Sequence, residues 1–543
     1  MYSVFRNLDM DYQKFQSKTV SLKASAVRST ILPFLKNQTT YASVSKLRIE
    51  DLDRRVNVLN RWWTALLDML YGRNTASVSG TDRPAILDAI VGIMERPEWR
   101  ASPSAFSPLR DGAQSEDGSP NASRTSLASS TESDFLAESV HHNVRNMFIQ
   151  NIRAQMCFVL EKMSIRTTPA SIVQFCGKTC AYAFFFCPGA ADTLIRIWAP
   201  SVENMRRVMD EFGASKVRDI DQHMNRIVSG FPPFVRQLNF SSPLKAFREL
   251  RKPASPPLGT ADLPWHGPWV ARWTGRETDL FYVFVKAYHV LVMEFLPEGA
   301  SKLDRICAPG MMMVYSQVLT NLDATIHRHS HPHAHDEPLR GPTSVTFDDV
   351  LSEPDATVSA VPLPPANAQR LMAENRLVML LRDFLSDRCS HLEPARRVYA
   401  EAFNDLLKVA AKRTSAFNQN ACYSLCDLLD ESIAILAKYE NSNPSKPLLF
   451  DWPFWITVFK EMVKSHNTTI EIRLYALLYS IWPTIAENPT RKADLCFDLL
   501  LEPEFFESRF NHWCPMVRAY FMRLLCWRVG RCDSDQGLGH DEL

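Results

Sequence analysis

The chain has 543 residues, with 61 Lys and Arg against 60 Asp and Glu and a formal net charge of +1. That balance supplies no global field for steering nucleic acid, so a generic polyanion binder is not expected. A 46% hydrophobic composition is enough for one or more sizeable cores; the low count of 18 glycines argues against Gly-rich nucleotide-binding α/β folds and β-sandwiches, and 34 prolines suit helices with sharp ends.

From the N-terminus, Met1 to Asp9 contains no uninterrupted apolar stretch of the kind a signal peptide needs. Residues 1–100 are expected to form a helical region, followed by a disordered Ser-rich linker over 101–134, because few large apolar residues there repay the entropy of ordering. Ser102-Pro103, Ser107-Pro108 and Ser119-Pro120 within it are potential sites for a proline-directed kinase. Residues 135–328 form a second expected helical region. Its most apolar run, Ala181 to Pro188, is soon followed by Asp192 and Arg196, well short of the roughly 20 residues needed to span a bilayer. Lys252 to Pro268 reads as irregular, and Phe281, Phe284, Tyr288, Leu291 and Phe295 form an apolar stripe at three and four spacing, the mark of an amphipathic helix.

A disordered His/Pro-rich loop is expected over 329–365, then a C-terminal helical region over 366–532 packed on the previous one, and a flexible tail over 533–543. In the C-terminal region Cys422, Leu425, Leu429, Ile433 and Leu436 mark one helix, and Asp451 followed by Trp452 and Pro453 is an N-cap with proline in the first turn. Ile470, Leu474, Leu477, Leu478 and Ile481 mark another, with Thr468 and Glu471 as a capping box and Pro483 as the stop. Trp513, Val517, Tyr520, Leu524 and Trp527 make a last stripe. The fold class is therefore all-α, a multi-helix array of HEAT/armadillo-like kind or an irregular α-bundle, with disordered Ser/Pro-rich insertions. No clean period of about 40 residues is visible to fix the repeat form.

Several of these stretches resemble the fungal family called domain of unknown function 1765: Trp273 to Phe284, Ala308-Pro309-Gly310 through Leu322 to Arg328, Cys426 to Leu429, Asp451 to Trp455 and Pro515 to Leu525. The likeness covers Trp265 to Arg528 in patches and Leu52 to Gly72 more thinly, where Asn60-Arg61-Trp62-Trp63 stands out. It implies a large intracellular helical protein of unassigned biochemistry, whose members are sometimes labelled membrane proteins on hydropathy, and it brings no catalytic residues.

The candidate chemistry is sparse. His327, His329, His331, His333 and His335 alternate, which in an extended chain places five imidazoles on one side as potential metal ligands, although the tract merges into Pro-rich sequence. Trp265, Trp269 and Trp273 are either an aromatic platform for a partner or buried pegs that lock a loop. Cys176 with Cys180, and Cys422 with Cys426, share helix faces and read as reduced buried thiols. Gly177-Lys178-Thr179 ends like a phosphate-binding loop but lacks its first glycine. Arg518, Arg523 and Arg528 recur every five residues and fan around their helix as snorkelling side chains. The terminal His540-Asp541-Glu542-Leu543 matches an endoplasmic-reticulum retrieval address, under which Asn37, Asn121, Asn239 and Asn467 become glycosylation candidates. No cofactor is expected. The function expected is a helical scaffold that binds other proteins, cytoplasmic or peripheral to an organelle membrane; the alternatives are a luminal or peripheral membrane factor and an enzyme with a dispersed site.

Overall fold

Helical periodicity governs the whole of the structure. The computed structural model describes all residues except 1, 38–40, 45, 73–79, 110–129, 255, 258, 259, 261, 262, 328–371, 443–448 and 531–543, and no β-strand occurs among the described residues. The chain divides into two compact units, residues 1–317 and 318–543, with the division inside the helix Met311–Ile326.

The principal helices of the first unit are α1 (Tyr2–Gln16), α2 (Ile49–Tyr71), α3 (Arg83–Met94), α4 (Ser130–Met163), α5 (Ala170–Phe186), α6 (Ala190–Trp198) and α7 (Leu280–Phe295). They form an irregular bundle around α5, which packs against α3, α4, α6 and α7. Lys178 is the one charged residue of α5, and it reaches Glu95 at 3.0 Å on the surface. Burial on nearly all sides is why this helix carries so few polar groups. The apolar stripe of α7 is buried as expected, but so are Leu280, Tyr282, Val283, Val285, His289 and Val292. The helix therefore lies in the core with only a narrow, partly exposed edge at Lys286, Ala287, Val290, Met293 and Glu294, and not on the surface with a polar face. Its approach to α5 is closest at Gly177, where a Cβ would stand 2.5 Å from Val283 Cβ and 3.0 Å from the Leu280 carbonyl oxygen.

Several polar groups inside this unit tie its elements together. Trp63 of α2 donates to Gln155 of α4 at 2.9 Å, and Gln155 donates to Thr179 of α5 at 3.0 Å, so one amide ties three helices. The 3-10 turn Pro97–Arg100 is wholly buried: Arg96 clasps Glu98 at 2.9 and 2.5 Å, Arg100 reaches Glu294 of α7, and Trp99 lies against Trp63 and Phe148. Order continues beyond this turn. Ala101 to Leu109 folds as turns and a bend in which Phe106 is buried against Phe148, Phe186 and Phe234, so the chain expected to be a linker from residue 101 is held by one aromatic side chain as far as residue 109.

The second unit contains α8 (Arg376–Phe384), α9 (Glu393–Arg413), α10 (Gln419–Asn441), α11 (Trp452–Lys464), α12 (Thr468–Ala486), α13 (Pro503–Phe510) and α14 (Pro515–Leu524), which continues as a π-helical turn, Leu525–Val529. Here every second long element forms a row, α8 on α10, α10 on α12 and α12 on α14, the arrangement of a helical array. The Asp451 cap is present, accepting the Phe454 N–H at 3.2 Å. The start of α12 differs from expectation: Asn467 is the N-cap, accepting from the N–H groups of Thr469 and Ile470, because Glu471 turns inward to Arg509 and is unavailable for a capping box. Pro483 does not stop α12, which runs on to Ala486; a proline within one turn of the end forfeits a single backbone bond.

The Gly177 contact makes a direct prediction. Gly177→Ala should lower unfolding stability by about 1–3 kcal/mol through overpacking. Lys178→Ala, which removes only a surface ion pair, should cost about 1 kcal/mol or less. Denaturant titration of the two variants beside the parent chain checks both.

Candidate functional site

The motifs singled out in the sequence distribute themselves between core and undescribed chain. His327 follows the helix Met311–Ile326 and is half-buried, its N–H donating to the Asp323 carbonyl, while His329, His331, His333 and His335 lie outside the described residues, as do His540 to Leu543. No group of three or more His, Cys, Asp or Glu able to hold a metal occurs among the described residues. Trp265, Trp269 and Trp273 are buried, and each indole N–H is spent on a backbone carbonyl: Thr260, Pro264 with Trp265, and Leu194 respectively. Trp273 also stacks on Trp198 at 5.2 Å. These rings fasten the irregular stretch to the helices.

The nucleophilic and titratable groups of the interior are quenched. Burial pushes the thiols of Cys176 and Cys180 well above their ordinary range, that of Cys422 to about 11 and that of Cys426 to about 12, so none carries thiolate at neutral pH. His289 is fully buried beside the Val285 carbonyl at 2.7 Å and the Tyr315 hydroxyl at 3.3 Å, and burial lowers its pKa to about 4, leaving it neutral. Ser301, Asp304 and His223 come together, but Asp304 stands in the middle: Ser301 donates to one carboxylate oxygen at 2.7 Å and His223 Nε2 lies 2.8 Å from the other. A serine bonded to a carboxylate with no imidazole to take its proton is a helix cap rather than an activated nucleophile. Thr179 and Lys178 are likewise occupied in packing and pairing. Asn467 has its side chain in the cap of α12 and does not stand open as a glycosylation site.

Two internal ion networks hold the row of helices in the second unit. Arg473 of α12 lies 2.7 Å from Asp427 and 3.3 Å from Asp430 of α10, and Ser480 donates to Asp430 at 2.9 Å. Arg509 of α13 places its Nε 3.0 Å from the fully buried Glu471. Burial raises the pKa of both Asp427 and Glu471, with their arginines pulling the other way.

What remains unspent is outside. Phe497, Phe510, Trp513 and Trp527 are 68%, 47%, 77% and 62% exposed, all within the last stretch of the second unit. The sequence placed Trp513 and Trp527 on the buried stripe of α14. The inner face is instead Val517, Phe521, Leu524 and Leu525, set against Tyr475, Phe505 and Phe506. At about 100° per residue, Trp527 lies about 100° from the centre of that face, so it turns to solvent. Arg523 and Arg528 both stack on Tyr479 of α12, their guanidinium carbons 5.2 and 4.2 Å from the ring centroid. Arg518 donates to the His512 carbonyl. Sequence reasoning missed this surface because the indoles continue an apolar stripe; the signal available was that Phe521 completes the stripe better than Tyr520 or Trp527.

No single described helix is long and apolar enough to cross a membrane; α5 and α6 pass that test only taken together, bent by 120°, and both are largely buried. Residues 403–529 match the model of the family described as Protein of unknown function (DUF1765), and this match shows the likeness read from the stretches between Cys426 and Leu525. It contains α10 to α14 and hence both ion networks and the exposed aromatic surface. A UPF0592 membrane protein of Schizosaccharomyces pombe (strain 972 / ATCC 24843) is 24% identical over 537 residues, covering 97% of this chain and 52% of that protein. The chain thus spans about half the length of the curated relative it matches. No solved structure matches it.

The buried Glu471 yields a signed pH test. Arg509→Met should cost about 3–5 kcal/mol at neutral pH by stranding a buried carboxylate. Because the pKa of Glu471 is raised on folding, its contribution favours the fold at low pH and is lost as pH rises through the folded value. The penalty should therefore shrink on acidification toward pH about 4, where the carboxyl is protonated. Denaturation curves of parent and variant at the two pH values measure it.

Proposed function

We propose that this chain is a non-catalytic helical interaction protein that gathers other proteins at a membrane surface. One observation carries the reading: the buried Cys426 thiol, His289 imidazole and Glu471 carboxylate are protonated, neutral or paired, while large aromatic side chains stay in solvent at one end of the segment that matches the family model. Exposed tryptophan flanked by arginine is the composition of contact surfaces, where an indole desolvates at little entropic cost. The membrane part of the reading is supported by the name of the yeast relative, which is called a membrane protein.

Proximity labelling from this chain should recover a reproducible set of protein neighbours, and fractionation should place it with membranes in a form released by high salt. A bait that enriches nothing over control would overturn the scaffold reading, and a chain wholly in the supernatant at low salt would overturn its membrane placement.

A further inference from the structure

We infer that the exposed surface around α14 is a docking face for an anionic bilayer, read by Trp513, Arg523, Trp527 and Arg528, with Tyr479 supporting the two arginines. The inference rests on the membrane part of the proposed function and names its chemistry. Between His512 and Gly530 the chain carries three arginines, Arg518, Arg523 and Arg528, and no carboxylate, in a protein whose overall charge is only +1. The acidic residues nearest in sequence are Glu507, on the preceding helix α13, and Asp533, which lies outside the described residues. None of the three arginines makes an ion pair among the described residues, although charged side chains are commonly paired elsewhere in the fold.

Two of those guanidinium groups are held in place before any ligand arrives. Arg523 and Arg528 share the Tyr479 ring, which fixes their long side chains and spares part of the entropy of ordering them. Ring stacking leaves guanidinium N–H groups for phosphate oxygens. Arg528 Nε is buried without a hydrogen-bond partner.

The indoles decide for a lipid surface. Trp513 precedes α14 and Trp527 lies in the turn that ends it, so they stand at the two ends of a helical rod about 20 Å long. A helix flanked by exposed tryptophan, with two arginines gathered on one tyrosine ring beside it, suits the headgroup layer, where indole rings settle and cations meet lipid phosphate.

The full chain should co-float with vesicles of phosphatidylcholine and phosphatidylserine at low salt, detach at high salt and bind phosphatidylcholine alone weakly. Arg523→Gln with Arg528→Gln should lower partitioning about tenfold or more. Trp513→Ser with Trp527→Ser, a second variant that leaves the Tyr479 stack intact, should lower it too and abolish quenching of tryptophan emission by brominated lipid. Circular dichroism should show both variants folded. Parent-like partitioning of the tryptophan variant would overturn the docking face while leaving the membrane placement standing. Equal binding to neutral vesicles would overturn the charge recognition. Absence of vesicle binding by the parent, or crosslinks from position 513 that capture an acidic protein segment and no lipid, would overturn the docking face, and recovery of protein neighbours would still support the scaffold.

Discussion

A helix with almost no solvent face must find the partners of its polar side chains within the protein, because an unpaired buried charge costs more than the packing around it returns. Each unit is organised by one such helix. In the first, α5 meets the condition by carrying almost nothing polar: Thr179 takes its bond from Gln155, and Gly177 removes its side chain so that α7 can close on it. In the second, α12 meets it with paired charges, Arg473 toward α10 and Glu471 toward Arg509 of α13. The ion networks therefore act as register marks between helices, each satisfied only when the right neighbour is in place.

That constraint shapes what the molecule has left for function. Buried groups that do chemistry elsewhere, such as the Cys426 thiol, the His289 imidazole and the Asp427 and Glu471 carboxylates, are here protonated, neutral or tied, and their pKa directions follow from burial first and from neighbouring charge second. The reactive repertoire of the described interior is thereby given over to holding helices. The free chemistry is around α14, where Arg523 and Arg528 stack on a tyrosine of α12 and the flanking tryptophans stay in water. A π-helical turn ends that helix, and such turns are frequent at functional sites.

The all-α class, the positions of the long helices and most of the core were legible, because three and four spacing of apolar residues has one inexpensive solution in water. Leu425, Leu429 and Ile433 are buried where the pattern puts them, as are Leu474, Leu477 and Ile481. The Asp451 cap was legible as well, since its bonds are local. Reading failed where a residue had two uses. Glu471 matches a capping box and also a buried countercharge, and Arg509, 38 residues away, settles the choice. Trp513 and Trp527 suit a core stripe as well as a surface, and the seat of Phe521 against Phe505 and Phe506 turns them outward.

The sequence by itself determined which segments are helical, where apolar stripes run and that no long apolar span is present among them, because these properties depend on neighbours a few residues apart. Only the tertiary structure decided which stripes became all-round core, which tryptophans were enclosed, and which arginines met a ring instead of a carboxylate. Those outcomes depend on side chains that the chain brings together from distant positions, and no local spacing encodes their meeting.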